Sequence, residues 1–279
     1  MFAKLEILLA WLCLLSAACA SDIVFTPTGA DDTAAIQAAI VSCKADDTLI
    51  LRSGTSLASK TITIDKPLYV RAEGFSLEAR HTGDVLVIGV TGKRLTNVSW
   101  NGGRIQRSDA YAYGRGVVLR NVCSSDIAMQ QSYRNSPHIT LSVDDACAYN
   151  RVTIRSCIHG AVGVSAECLS SNAWINANTF TGCGFGLDAG GCFVSFPQFT
   201  TWNPDGMTFN ACQFEGGAKC TLLNLANVYS RITFRDCWLE STGMTVGTFA
   251  GTNQINIITP SPLNGVAKAW KKTGLVVSY

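Results

Sequence analysis

The chain has 279 residues, 47% of them hydrophobic and only 15% charged, with 7 prolines, 25 glycines and a net charge of +2. That composition excludes a disordered chain and offers no global attraction to nucleic acid or to an anionic membrane; a polyanion would need a local cluster of cations. The length suits one extended domain or two small ones.

Residues 1–20 read as a separate unit. Lys4 gives a weakly cationic start, Ile7 to Ala18 is an apolar core too short for a membrane span, and Ala18, Cys19 and Ala20 make a small-residue cleavage site. The expectation is a secretory signal peptide cut after Ala20 and a secreted, extracellular protein. Cys13 and Cys19 leave with it, so ten of the twelve cysteines remain. No CxxC spacing occurs, which argues against a zinc site.

Gly29 to Cys43, GADDTAAIQAAIVSC, predicts a helix over about 31–43. Asp31 or Asp32 caps its start, and Ile36, Ile40 and Cys43 fall on one stripe. A short helix ahead of stacked strands covers the open end, where unpaired edges would meet water or another chain.

Short strand-like runs follow: TLILRS, KTITID, PLYVRA, FSLEAR, DVLVIG, LTNVSWNGGRIQ, GVVLRNV, DIAMQQSY and HITLSV. Gly, Pro, Asp or Lys punctuates the first of them, which predicts several strands per turn joined by tight corners. Asn97 opens a standard N-glycosylation sequon.

One strand sentence is then written four times: VTIRSCIHG from Val152, NTFTGCGFG from Asn178, MTFNACQFEGG from Met207 and ITFRDCWLES from Ile232, at intervals of 26, 29 and 25 residues. Counting from zero, Thr153, Thr179, Thr208 and Thr233 share position one; Ile154, Phe180, Phe209 and Phe234 share position two. Cys157, Cys183, Cys212 and Cys237 share position five. Such a period marks stacked β units that cannot bury a face alone. The fold class read from it is all-β: a single parallel β-helix, or solenoid, with an N-terminal capping helix, filling residues 21–279. The cysteines fit either a ladder of buried thiols or disulfides to Cys168, Cys192 and Cys220. The tail over about 254–279 begins strand-like, breaks at Pro260 and Pro262, and is expected to cover the far end; Lys268, Lys271 and Lys272 read as solvated charges.

The DDTAAIQAAI segment followed by TITIDKPL closely resembles the opening of the pectate-lyase-like superfamily. Its nearest look is the group of rhamnogalacturonan- and polygalacturonan-processing enzymes, epimerase-like proteins and viral tailspikes. The glycine-rich lead of that motif is shortened here to TPTGA. The resemblance extends over most of residues 24–250 and implies a right-handed parallel β-helix facing a polysaccharide. It does not name a reaction, because one fold hosts lyases, hydrolases and inert spikes.

Position three of the repeat, expected to face solvent, holds Arg155, Asn210 and Arg235 as candidate substrate-binding residues. Arg155 and Arg235 then stand three turns apart, roughly 14 Å, a spacing for two contacts along an acidic sugar chain. Asp144, Asp145 and His159 are candidate catalytic residues. They are similar to the polygalacturonase-like hydrolases, in which a DDC segment precedes a GHG segment, and the resemblance implies acid, water-activating base and supporting roles respectively. The family's NTD and RIK segments are absent here. His159 also falls in the slot of Phe185, Phe214 and Leu239, which predicts a core position. No metal ligand set is read and no cofactor, although a lyase would call for calcium. The leading reading is a secreted polysaccharide-active protein, a lyase or a glycoside hydrolase acting on uronate-containing chains. The alternative is a non-catalytic binding or adhesin-like β-helix. No nucleic acid or membrane span is expected; the oligomeric state stays open, a homotrimer among the options.

Overall fold

The computed structural model describes residues 20–196, 204–225, 230–240, 243–249, 253–258 and 274–278. The predicted signal peptide falls almost wholly outside them, as do the three tail lysines and most of the expected C-terminal cap. The described chain is a parallel β-solenoid of about nine turns. Face 1 runs from Asp22–Phe25 to Leu275–Ser278, face 2 from Gly54–Ala58 to Trp238–Glu240, and face 3 from Ile62–Ile64 to Thr245–Thr248. A short fourth ladder joins Leu95–Thr96, Val122–Cys123, Ala146–Ala148 and Trp174–Asn176. In one turn, Asp126–Tyr133 crosses faces 1 and 2, Ile139–Val143 forms face 3, and Ala146–Ala148 closes the circuit.

Alternation of inward apolar and outward polar residues makes the core, as strand geometry requires. Face 1 buries Val152, Phe180, Phe209 and Phe234 one above another. Phe180 and Phe209 stack with ring centroids 4.8 Å apart, Phe209 and Phe234 at 5.0 Å, and Phe185 and Phe214 at 5.3 Å. Ring stacking at the strand repeat therefore locks the register of these turns.

The helix spans Thr33–Ser42, within the predicted range, and buries Ile36 and Ile40. Of the two aspartates, only Asp31 accepts from a helix amide; the Asp32 side chain makes no capping bond and ties the helix start to the solenoid instead. Asp31 Oδ1 accepts the Thr33 amide at 3.1 Å, while Asp32, which precedes the helix, is buried and accepts from Ser56 Oγ at 2.7 Å and from the Thr28 amide at 3.0 Å. The helix covers the open end with more than apolar surface, because the Gln37 side chain bonds the edge strand Ile62–Ile64 at Thr63. At the other end, Leu275–Ser278 adds one more strand to Gln254–Ile258.

The sequence repeat needs one correction. Thr179, Thr208 and Thr233 are in register, as the motif predicts, but Arg151 pairs with Thr179 and Val152 with Phe180. The first copy is thus two residues out of the predicted alignment. Cys157 pairs with Phe185 rather than Cys183, so the thiol ladder contains Cys183, Cys212 and Cys237 only. All ten described cysteines are free thiols, with no disulfide to Cys168, Cys192 or Cys220. Burial pushes the Cys157 thiol well above its ordinary value.

Candidate functional site

The predicted catalytic residues do not come together. Asp144 and Asp145 follow Ile139–Val143 at one end of face 3, whereas His159 precedes Val162–Cys168 at the other end. A face-3 strand lies between them, about 13 Å over four residues at ordinary strand rise. Both carboxylates are engaged in their corner. Asp144 accepts from the Gly92 amide at 2.7 Å and from the Asn121 side-chain amide, while Asn121 Oδ1 accepts both the Asp144 and Asp145 amides. Asp145 makes a two-pronged ion pair with Arg94 at 2.8 and 3.0 Å, and that guanidinium lies over Trp174.

His159 is exposed, which corrects the core position read from the repeat. The two-residue shift puts Ile158 beside Gly186 and moves His159 out of the phenylalanine slot, to the corner that ends face 2. Its backbone has φ of 57°, the left-handed conformation shared by other corner residues of this solenoid, such as Ala177 and Ala211. Its Nδ1 stands 3.1 Å from Asp188 Oδ1, and Tyr113 Oη donates to Asp188 Oδ2 at 3.4 Å. The Tyr133 ring packs edge-on against the imidazole with centroids 5.5 Å apart. Arg134, whose amide donates to the Ile158 carbonyl, pairs with Asp109 and lies over the Tyr133 ring.

The predicted binding column is also redistributed. Asn210 and Arg235 are neighbours on face 1, half-buried and exposed respectively, but Arg155 is not in their column. Extending the face 1 register places Thr153 beside Thr181, which pairs with Asn210. Arg155 instead sits at the bend into face 2.

There it borders a notch of about 280 Å³, lined by Ser156, Ile158, Gly184, Gly186, Gln213 and Glu215 as well. The cause is a pair of glycines. One outward column of face 2 reads Gln131, Ser156, Gly184, Gln213, Trp238; the next reads Tyr133, Ile158, Gly186, Glu215, Glu240. Two adjacent outward positions on one turn lack side chains, and their neighbours on either side form the walls. Gly184 is obligatory, since a Cβ there would stand 2.6 Å from the Arg155 carbonyl oxygen. Gly186 is not: its Cβ would meet only the Cys157 carbonyl oxygen at an ordinary 3.5 Å. Two turns above the notch stands Trp238, 45% exposed, with Nε1 donating to Glu240 Oε2 at 2.7 Å. Two turns below stands Tyr133. At the strand spacing these aromatics are about 19 Å apart along the axis.

No protein-family model matches this chain, and no curated protein does. Among solved structures, the chain is similar to one described as Geobacillus virus E2 ORF18, with 14% identity and a TM-score of 0.41. That match covers 93% of this chain and 64% of the other, so this chain spans somewhat less than two thirds of the viral protein. The architecture rests on this chain's own strand pairing: a parallel β-solenoid.

The sequence reading missed the notch, Trp238, and the partnership of His159 with Asp188. The signal for the notch was present in TGCGFGLD, where glycine fills both outward positions that hold Gln213 and Glu215 one turn later. Among the described residues, no group of three or more His, Cys, Asp or Glu side chains is arranged to hold a metal ion. No described helix is long and apolar enough to cross a membrane.

Proposed function

We propose that this protein binds an extended polysaccharide along face 2, across the Gly184/Gly186 notch, and belongs with the carbohydrate-facing pectate-lyase-like β-helices that its opening motif resembles. The notch is the observation that carries this reading. It spans three successive turns and is lined by a guanidinium, an amide, a hydroxyl and a carboxylate. Such groups suit the hydroxyls and carboxylates of a sugar chain. Trp238 stands two turns to one side of it and Tyr133 two turns to the other, in adjacent outward columns, and aromatic rings supply contact area with few torsions to freeze. A uronate-containing chain is the preferred ligand because the Arg155 guanidinium borders the notch. Export through the residue 1–20 leader would place the protein where such polymers occur; N-terminal sequencing of the exported protein should begin at Ser21.

Gly186 provides the test, because the backbone has room for a side chain there. Gly186→Gln is expected to fold normally, fill the notch and weaken binding of a polyuronate at least tenfold in affinity electrophoresis. Trp238→Ala is expected to weaken it several-fold. Unchanged affinity in Gly186→Gln would remove the notch from the reading.

A further inference from the structure

The arginines of this chain sort into three groups. Arg80, Arg94, Arg115, Arg134, Arg151 and Arg231 are each held in an ion pair. Arg107 is buried on backbone carbonyls, and Arg120 is half-buried on face 3. The rest, Arg52, Arg71, Arg104, Arg155 and Arg235, are all exposed, and none has an acidic partner among the described residues. They share one place in the fold, the bend between face 1 and face 2. Arg71 and Arg235 end face 1 strands, and Arg104 opens a face 2 strand. Arg52 follows Thr48–Leu51 into the bend, and Arg155 lies within it.

In Arg151–Ile158 the side chains of Arg155 and Ser156 leave the core in succession, which marks the outer side of a corner. Stacked turns make that corner a straight convex ridge. Counted by strand pairing, Arg71 lies one turn above Arg52, Arg104 two, Arg155 four and Arg235 seven. The row is roughly 34 Å long at the strand spacing. Glu73 and Asp236 are the acidic residues on the ridge among the described residues, so positive charge prevails there. A net charge of +2 attracts no polyanion by itself, but the fold gathers the unpaired guanidiniums on one edge.

We propose that this ridge docks the protein on an anionic lipid bilayer, with the solenoid axis lying along the membrane plane. A straight convex edge meets a flat sheet of headgroups along its whole length, whereas a single polymer strand gains most from a groove. Guanidinium matches phosphate oxygens in a two-pronged way, and the attraction of cations to an anionic leaflet grows with the number near its surface. Exposed apolar side chains stand beside the ridge on face 1. Tyr69 precedes Arg71 by two residues on the same strand, and Ile258 is next to Arg235 in its outward column. Aromatic and apolar groups of this kind settle at the headgroup boundary, which a soluble polyanion does not offer. The docking surface is separate from the notch, and only Arg155 belongs to both.

The experiment co-sediments the exported chain, beginning at Ser21 so that the apolar leader contributes nothing, with two kinds of vesicle: phosphatidylcholine alone, and phosphatidylcholine with phosphatidylglycerol. Binding is expected to the anionic vesicles only, and should be lost in about 1 M salt, where charges are screened beyond roughly 3 Å. The double variant Arg71→Gln/Arg104→Gln should bind at least tenfold more weakly, at roughly fivefold per arginine, with an unchanged melting temperature. Asn101→Arg adds a cation beside Arg71 in its outward column and should strengthen binding about fivefold. Arg94→Gln, at the Asp145 corner, should leave binding as it is. Polyuronate affinity should be the same in the double variant as in the native protein, because Arg155 is intact. A loss there would make the ridge part of the sugar site and overturn membrane docking. Equal binding to neutral vesicles, no binding to anionic ones, or full binding by the double variant would each overturn it and leave the notch to its own test. Binding of soluble polyphosphate without binding of anionic vesicles would overturn it in favour of a phosphate polymer.

Discussion

Gln37 and Thr63 exchange two hydrogen bonds: Gln37 Nε2 donates to the Thr63 carbonyl and the Thr63 amide donates to Gln37 Oε1, each at 3.0 Å. A side chain on the capping helix thereby imitates the neighbouring strand that Ile62–Ile64, first in its ladder, lacks. An unpaired edge is a template for pairing with another chain, so this amide does two jobs, satisfying backbone groups and blocking association. Gln37→Ala is expected to cost about 1–3 kcal/mol in urea unfolding. It should also raise the fraction of oligomers seen by light scattering. Gln37→Glu keeps the acceptor but loses the donor, and should fall between the two.

The buried His138 gives stability a dependence on acid. Its Nδ1 lies 2.8 Å from Ser132 Oγ, and its Nε2 has no hydrogen-bond partner among the described residues. Complete burial lowers its pKa from 6.5 to about 3; the Asp188 carboxylate opposes that shift and the neighbouring His159 adds to it. The unfolded chain therefore takes up a proton below about pH 6.5 that the folded chain refuses until about pH 3. Stability attributable to this residue is present above pH 6.5 and falls as the pH drops through that window, by at most about 5 kcal/mol. Urea unfolding at intervals from pH 7 to 4 should show a steeper loss for the native protein than for His138→Gln. Equal slopes would contradict the assignment.

The thiols make a countable prediction. All ten described cysteines are free, and Cys183, Cys212 and Cys237 each donate to a backbone carbonyl of the adjacent turn. Titration with a thiol reagent in denaturant, without reductant, should find ten free thiols per chain once residues 1–20 are removed. In the native state most should react slowly, because the thiols at 157, 183 and 212 are almost wholly buried. Added reductant should leave the melting temperature unchanged. Finding six or fewer thiols would point to bridges of the kind the alternative spacing allows.

The register error shows where sequence periodicity stops being informative. A one-residue slip turns every core side chain outward, and the hydrophobic pattern detects it at once. A two-residue slip preserves the inward and outward assignments within the strand, so the apolar positions of the first repeat looked correct while its partners, and the corner residue His159 beyond its end, were wrong. The true register is fixed by polar groups at a corner. Asn150 Nδ2 donates to Asn178 Oδ1 at 2.9 Å, and Asn178 Nδ2 donates to the Cys147 carbonyl at 2.9 Å, setting these turns 28 residues apart. The shared threonine and cysteine positions suggested 26 instead, and His159 went into the core with them. Solenoid, capping helix and core columns were legible because they depend on alternation. The notch and the His159 corner were not, because they depend on which residues of different turns become neighbours.

Asp144 and Asp145 separate a structural role from a chemical one. Asp144 carries the Gly92 amide and an Asn121 amide inside a partly buried corner. Asp144→Ala leaves both donors without that acceptor and should cost about 1–3 kcal/mol. Asp145 and Arg94 are each more than two-fifths exposed, so their ion pair is screened, and Asp145→Ala should cost no more than about 1 kcal/mol. If the carboxylates acted as acid and base on a glycosidic bond, Asp145→Asn would abolish turnover while leaving the melting temperature nearly untouched. The geometry predicts the reverse pattern. Any polysaccharide turnover should survive Asp145→Asn within twofold, and Asp144→Asn should lower stability more than kcat. Melting curves and initial rates on the same preparations give both readouts, and a large rate loss at constant stability would return these two residues to the active site.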